Sequence, residues 1–228
     1  MTMATPTTTT PNMGSTAALL PILRPLHEAS LPEPGHLKEY LYGVEVGVHR
    51  GATSAMLLRE FHNLHLTLID EWTTYPPEHP YRQSGDGCAK FTEAEQRANM
   101  LAAIEAVRFA SNRAYVIRGN SEYAIEERYN GREREVLASA HPHFVFVDGN
   151  HTYEAVADDI RRWWPLIRPG GIIAGHDWGH PRDQRGVWGV TKAVVEFVGR
   201  EGLMAAAVGE VWWVKKPSEP ANESGGKV

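Results

Sequence analysis

The stretch that decides the fold is FVFVDGNHTYEAVADDI, residues 144–160. Four apolar residues run into Asp148, and His151 follows three residues later. The segment 152–167 then carries an apolar stripe at Tyr153, Val156, Ile160 and Trp163 or Trp164, spaced as on one face of a helix. A short, wholly apolar strand followed by an amphipathic helix is the repeating unit of a parallel sheet buried on both faces. The turn between the two delivers an aspartate and a histidine to one place.

The same alternation extends in both directions. Toward the N-terminus, YGVEVGV (42–48) reads as a strand and GATSAMLLREF (51–61) as a helix. LHLTLID (64–70) is a second strand, TEAEQRANMLAAIEAV (92–107) a helix capped by Thr92, and AYVIRG (114–119) a third strand. HFVFVDG (143–149) is the fourth. Toward the C-terminus, GGIIAGHD (170–177) is a fifth strand after the turn RPGG, and GVTKAVVEFVGREG (189–202) a helix. LMAAAVGEVWWVKKP (203–217) reads as a closing pair of strands. Repeated strand-helix units predict an α/β fold with a parallel sheet covered on both faces. Ligands of such sheets bind outside the carboxyl ends of the strands. Those ends carry Glu45-Val46-Gly47, Asp70, Gly119-Asn120, Asp148 and His176-Asp177, so four of the five present a carboxylate to one rim.

Composition narrows the function classes. At 228 residues the chain suits one domain, expected over 21–216 between flexible tails at 1–20 and 217–228. A net charge of -5 without a basic run argues against a nucleic-acid partner. No apolar run reaches the roughly 20 residues a membrane helix needs, and no secretory signal is apparent, so a cytoplasmic protein is expected. The single cysteine, Cys88, excludes a disulfide framework and a cysteine-rich metal site. The N-terminal segment 15–40, with AALLPILRPL, is expected to pack either on a second copy in a homo-oligomer or over a bound cofactor.

Gly47 and Gly51 fall in the first strand-to-helix turn, where glycine lets backbone approach a ligand and opens a helix N-terminus. The pattern E-x-G-x-x-x-G departs from the dinucleotide fingerprint G-x-G-x-x-G, which disfavours a nicotinamide-dependent oxidoreductase. Asp70 ends the second strand 25 residues after Glu45, where an acid can accept both hydroxyls of a ribose. The alternative is a strand-end cap. Residues 71–91 are rich in Pro and Gly and without period, and read as a lid or substrate wall offering Trp72, Tyr75, Tyr81 and Arg82. Arg185 and Trp188 lie in a second loop on the same rim.

YGVEVGVHRGATS, LTLIDEW, VIRGNS, FVFVDGNHTYEAVADDI and RPGGIIAGHDW follow one another in a familiar order. In these motifs, over residues 40–215, the chain resembles the class I S-adenosylmethionine-dependent methyltransferases. More narrowly, it is similar to the metal-dependent O-methyltransferases of sugars and of macrolide and antibiotic natural products. The resemblance implies a Rossmann-like, seven-stranded, mostly parallel sheet ending in an antiparallel hairpin. It implies that Glu45, Gly47 and Gly51, with Ser54 beside them, hold the methionine end of the cofactor. Asp70 would take the ribose, Asn120 and Ser121 the adenine, and Asp148 would border both cofactor and metal.

Asp148, His176 and Asp177 close two strands expected to be neighbours, and three such ligands can face one divalent cation, Mg²⁺ or Mn²⁺. The related enzymes usually carry two acids, or an acid and an amide, where this chain has His176-Asp177. An imidazole tilts the preference toward Mn²⁺. His151, with an ordinary pKa of ~6.5, suits a general base beside a metal-bound hydroxyl. It can also be a helix cap or an extra ligand. The acceptor is expected to be a small molecule or glycan hydroxyl. A catechol-type vicinal diol and a non-catalytic nucleoside-binding domain are the alternatives.

Overall fold

Strand β1 (Leu41–Val46) pairs in parallel with β2 (Leu64–Asp70) on one side and with β4 (Phe144–Val147) on the other. β3 (Ala114–Arg118) lies outside β2 and β5 (Ile172–Gly175) outside β4, both parallel. β7 (Val211–Lys215) runs antiparallel to β5, and β6 (Ala206–Val208) antiparallel to β7 at the edge. The order β3-β2-β1-β4-β5-β7-β6 is the expected seven-stranded, mostly parallel sheet with a closing hairpin. The computed structural model describes residues 15–31, 40–129, 141–185 and 187–218. Between β1 and β4 the chain stops building outward on one side and starts on the other. Ligands of open α/β sheets gather at such a switch point.

β4 and β5 are apolar throughout because both of their faces are covered. Phe144 and Phe146 of β4 point into one core with Leu41, Leu66, Leu68 and Ala174. Val145 and Val147 point into the other with Val44, Val46, Ile69 and Ile173. Among the described residues, six helices supply the covers: α1 (Leu19–Ala29), α2 (Ala52–Glu60), α3 (Glu93–Ala106), α4 (Ser121–Tyr129), α5 (Tyr153–Trp163) and α6 (Val190–Glu201). The stripe Val156, Ile160 and Trp163 of α5 is buried in the second core with Val190, Val194 and Phe197 of α6. Thr92 opens α3 with a reciprocal capping box, its hydroxyl accepting from the Glu95 amide while the Glu95 carboxylate accepts from the Thr92 amide.

Two boundaries differ from expectation. The N-terminal tail, expected through residue 20, gives way by Ser15, where a 3₁₀ turn leads into α1. Leu19 and Leu23 are fully buried in the chain's own first core, and Arg24 pairs with Glu60 of α2. An amphipathic helix seals the sheet here, with Leu19 and Leu23 turned into the chain's own core. Residues 1–14, 32–39 and 219–228 lie outside the described residues. Second, residues 71–91 are not without structure. His79 caps a one-turn helix (Pro80–Gln83), a 3₁₀ turn follows (Cys88–Lys90), and Trp72, Tyr81, Ser84 and Asp86 are buried. No helix of the described residues is long and apolar enough to cross a membrane.

Candidate active site

The carboxyl ends of β1, β2, β3 and β4 border an open cleft of about 1030 Å³, the solvent at its mouth included. Gly47, Asp70, Asn120, Ser121 and Asp148 line it, as do His151 and the wall residues Trp72, Tyr75, Tyr81, Cys88 and Phe91.

Gly47 turns the chain out of β1 at φ 89°. A Cβ there would stand 2.2 Å from the carbonyl oxygen of Asp148, so only glycine lets the two strand ends touch. Gly51, also left-handed at φ 77°, opens α2. Asp70 accepts the His49 amide on one oxygen and the Trp72 amide on the other, each at 2.8 Å. The Trp72 indole in turn donates to the His49 carbonyl at 2.8 Å. His49 and Trp72 are left-handed, at φ 51° and 39°, and Asp177 at 62° is the remaining non-glycine case among the described residues. All three sit on the strand-end rim, where a rigid frame holds costly backbone in place.

Glu45 and Ser54 are brought to each other and not to the cleft lining. The Ser54 hydroxyl donates to the Glu45 carboxyl at 2.5 Å in a fully buried pocket. Burial pushes that carboxyl up to about 8, against the opposing pull of Ser54. Asn120 accepts the Tyr123 amide at 2.9 Å and so caps α4. Ser121 donates to Asp159 at 2.5 Å and accepts the Trp163 indole N–H at 2.9 Å.

The metal candidates converge as expected. One ligand atom each from Asp148, His176 and Asp177 lies within 4.8 Å of the other two. His176 Nδ1 stands 3.2 Å from Asp177 Oδ2 and 3.9 Å from Asp148 Oδ1. His151 stands among the same acids: Nδ1 bonds Asp86 Oδ2 at 2.6 Å, and Nε2 lies 2.9 Å from Asp177 Oδ2 and 3.8 Å from Asp148 Oδ1. That Nε2 is buried, and its approach to Asp177 lacks the angle of a hydrogen bond. Two carboxylates, an imidazole and a buried, poorly satisfied ring nitrogen form a donor set that fits a divalent cation.

Electrostatics follow from this crowding. Burial alone would lower His151, but Asp148, Asp177 and Asp86 override it and hold the ring well above its ordinary value. The three acids thus favour the protonated form of the ring. Asp177 and Asp86 are held below the usual carboxylate range, burial being outweighed by His151 and, for Asp177, also by His176. Trp188 stacks on His151 with centroids 4.3 Å apart, and His180 stacks on Trp188 at 4.6 Å. Arg185 is exposed. Arg82 is occupied by the Tyr75 carbonyl at 2.9 Å.

Sequence reasoning missed Asp86 and Asp159. Asp86 lies in SGDGC, a loop with no period to place it. Asp159 belongs to VADDI and reads as part of a solvated helix face. Only its position three residues after the buried Val156 hints that it turns inward.

A family model described as a methyltransferase domain matches residues 44–178. No curated protein matches the chain. Among solved structures, a Klebsiella pneumoniae protein carrying a provisional O-methyltransferase assignment is similar at 15% identity. It covers 93% of this chain and 82% of its own, with a TM-score of 0.55. The O-methyltransferase TomG from Streptomyces achromogenes, involved in tomaymycin synthesis and solved with S-adenosylmethionine, is 17% identical. It covers 91% and 83% of the two chains with a TM-score of 0.53. Cofactor-bound Rv0187 from MTB is 15% identical over 92% and 94%, with a TM-score of 0.52. At these identities the likeness is one of fold.

Proposed function

We propose that this chain, which belongs to the methyltransferase-domain family, transfers a methyl group from S-adenosylmethionine to a hydroxyl of a sugar or glycosylated metabolite. The observation that carries the reading is the meeting of Asp148, His176 and Asp177 around His151; two of these four, Asp148 and His151, line the strand-end cleft. The cleft offers the cofactor the Gly47 turn, Asp70 for the ribose, and the Asn120–Ser121 wall for the adenine. Glu45, buried and paired with Ser54, would support the turn that receives the methionine end.

Asp148, Asp177 and His176 would hold a divalent cation. When bound, the ion supplies Lewis acidity to an acceptor hydroxyl and offsets the carboxylate charge that keeps His151 protonated. His151 Nε2 would take the hydroxyl proton while the oxygen forms its bond to the sulfonium methyl in line, the S–CH₃ bond breaking to leave the thioether S-adenosylhomocysteine. Asp86 fixes the ring through Nδ1, which leaves Nε2 aimed at the acids. Trp188 holds the imidazole plane from one face. Tyr75, Tyr81 and Phe91 form the facing wall, an aromatic surface suited to a sugar ring or an aromatic diol. A catechol-type acceptor would present the same chelating pair of hydroxyls and is the second reading.

Isothermal calorimetry with S-adenosylmethionine tests the cofactor. Binding is expected without added metal, because Gly47, Asp70, Asn120 and Ser121 are not among the cation donors, Asp148 being the one residue shared. A flat thermogram would end the methyltransferase reading of the cleft. Methyl transfer from labelled cofactor to a panel of sugars and catechols, with and without EDTA, tests the rest. Transfer that survives EDTA unchanged removes the metal.

A further inference from the structure

The adenine wall holds a carboxylate that no part of this mechanism uses. Asp159 lies on α5 at the cleft surface, three residues after the buried Val156 and one before the buried Ile160. Burial pushes its carboxyl up to about 7, with Ser121 pulling the other way. Such a group is costly to keep, and an acid on a solvated face would not be shifted in this way.

The hydrogen bonds around it have a fixed direction. The Trp163 indole can only donate, and it donates to Ser121 Oγ at 2.9 Å. The Ser121 proton is therefore free to go to Asp159 Oδ1, at 2.5 Å. The relay ends with Asp159 as acceptor, and its Oδ2 takes no hydrogen bond from a described residue. The neighbouring acceptors are otherwise engaged. Asn120 Oδ1 caps α4 through the Tyr123 amide, Glu71 accepts the Tyr75 hydroxyl, and Asp158 accepts from both Arg161 and Arg162. Glu122 faces Arg162 at 3.2 Å. Glu71 and Glu122 each keep a second oxygen as well, but Asp159 differs in being drawn out of solvent beside the cleft with its Oδ2 taking no hydrogen bond from a described residue.

We propose that Asp159 is a specificity-determining residue that reads the exocyclic amine of a 6-aminopurine and rejects a 6-oxopurine. The inference rests on the cofactor reading above and adds the group that selects the base. An amine at position 6 donates to Oδ2. At about pH 8, above the raised value of this carboxyl and so with Asp159 mostly ionised, a carbonyl there would set one acceptor against another, leaving both unsatisfied in a half-buried site, which is the arrangement that discriminates most strongly.

Calorimetry with S-adenosylhomocysteine and its 6-oxo analogue, S-inosylhomocysteine, tests this. The wild-type protein is expected to prefer the adenosyl compound by about 10- to 100-fold, the range for one charge-assisted hydrogen bond. Asp159→Asn keeps the Ser121 contact through its carbonyl and turns an N–H toward position 6, so the preference should fall at least tenfold or invert. Equal affinity of the wild type for both ligands overturns the inference without any variant. An unchanged ratio in Asp159→Asn overturns it too, as does equal weakening of both ligands, since Asp159 then serves only the shape of the cleft. Failure of the wild type to bind S-adenosylhomocysteine overturns the cofactor reading itself, and this inference with it.

Discussion

Gly47→Ala tests the contact on which the whole site is built. A Cβ at this position would stand 2.2 Å from the Asp148 carbonyl oxygen, 2.4 Å from its carbonyl carbon and 2.5 Å from Gly149 Cα. All three are backbone atoms of the β4 turn, so no rotamer change can make room. The residue also sits at φ 89°, which costs an L side chain ~1–2 kcal/mol. Overpacking against atoms that cannot yield adds ~1–3 kcal/mol. The expected loss of stability is therefore about 2–5 kcal/mol, a sizeable part of what a domain of this size possesses. In urea, with a slope of about 2–3 kcal/mol per molar, the unfolding midpoint should drop by about 1–2 M. The functional consequence has the same origin. To admit the methyl group, the β1 and β4 ends must part, and Asp148 moves with its own carbonyl. Calorimetry on the folded variant should show cofactor affinity and divalent-metal affinity falling together. A midpoint shift under about 0.3 M, or full retention of both affinities, would refute the view that these strand ends must touch.

Three further outcomes follow from the same geometry. His151→Ala should lower kcat by about 10²–10⁴-fold while cofactor affinity stays within about threefold; unchanged turnover would assign His151 to structure alone. At about 100 times its dissociation constant, Mn²⁺ should stabilise the protein by ~2.7 kcal/mol, raising the melting temperature by roughly 5–10 °C. His176→Ala should shrink that shift toward the one Mg²⁺ gives, and equal Mn²⁺ shifts in both proteins would exclude the imidazole as a ligand. Glu45→Gln should stabilise the cofactor-free protein at pH 9 and not at pH 5. A carboxyl raised to about 8 keeps its proton in the folded chain where the unfolded chain has released it. Stability is thus present below about pH 4.5 and lost as pH rises to about 8, a loss on the order of 3–5 kcal/mol that a neutral glutamine avoids. Equal urea midpoint differences at the two pH values would refute the assignment.

Much of the architecture is legible in the sequence because it is written in local patterns. The apolar run of β4 and the 3.6-residue stripe of α5 each report burial directly, and the alternation of such units dictates a parallel sheet. Strand-end acids are legible for the same reason: once the strands are placed, Asp70, Asp148 and Asp177 fall on one rim. Register carries Asp148 and His176 to neighbouring strand ends, since Val147 pairs with Gly175. The sequence thereby determines the fold class, the side of the sheet that bears the site and most of its acids.

What it does not determine is which group each side chain meets. Glu45 has the spacing of a ligand residue, yet its strand position turns it toward Ser54 under the turn. Asp86 comes 65 residues before His151 and reaches it only because the wall loop folds back across the strand ends. Asp159 looks like helix surface until α4 brings Ser121 against it. A side chain's direction and its partner across the chain are long-range quantities, fixed by how loops and helices pack. Periodicity reports only whether a residue is buried. The tertiary structure alone decides that His151 stands amid three acids and that Asp159, on the cleft wall, is left with an acceptor oxygen to offer.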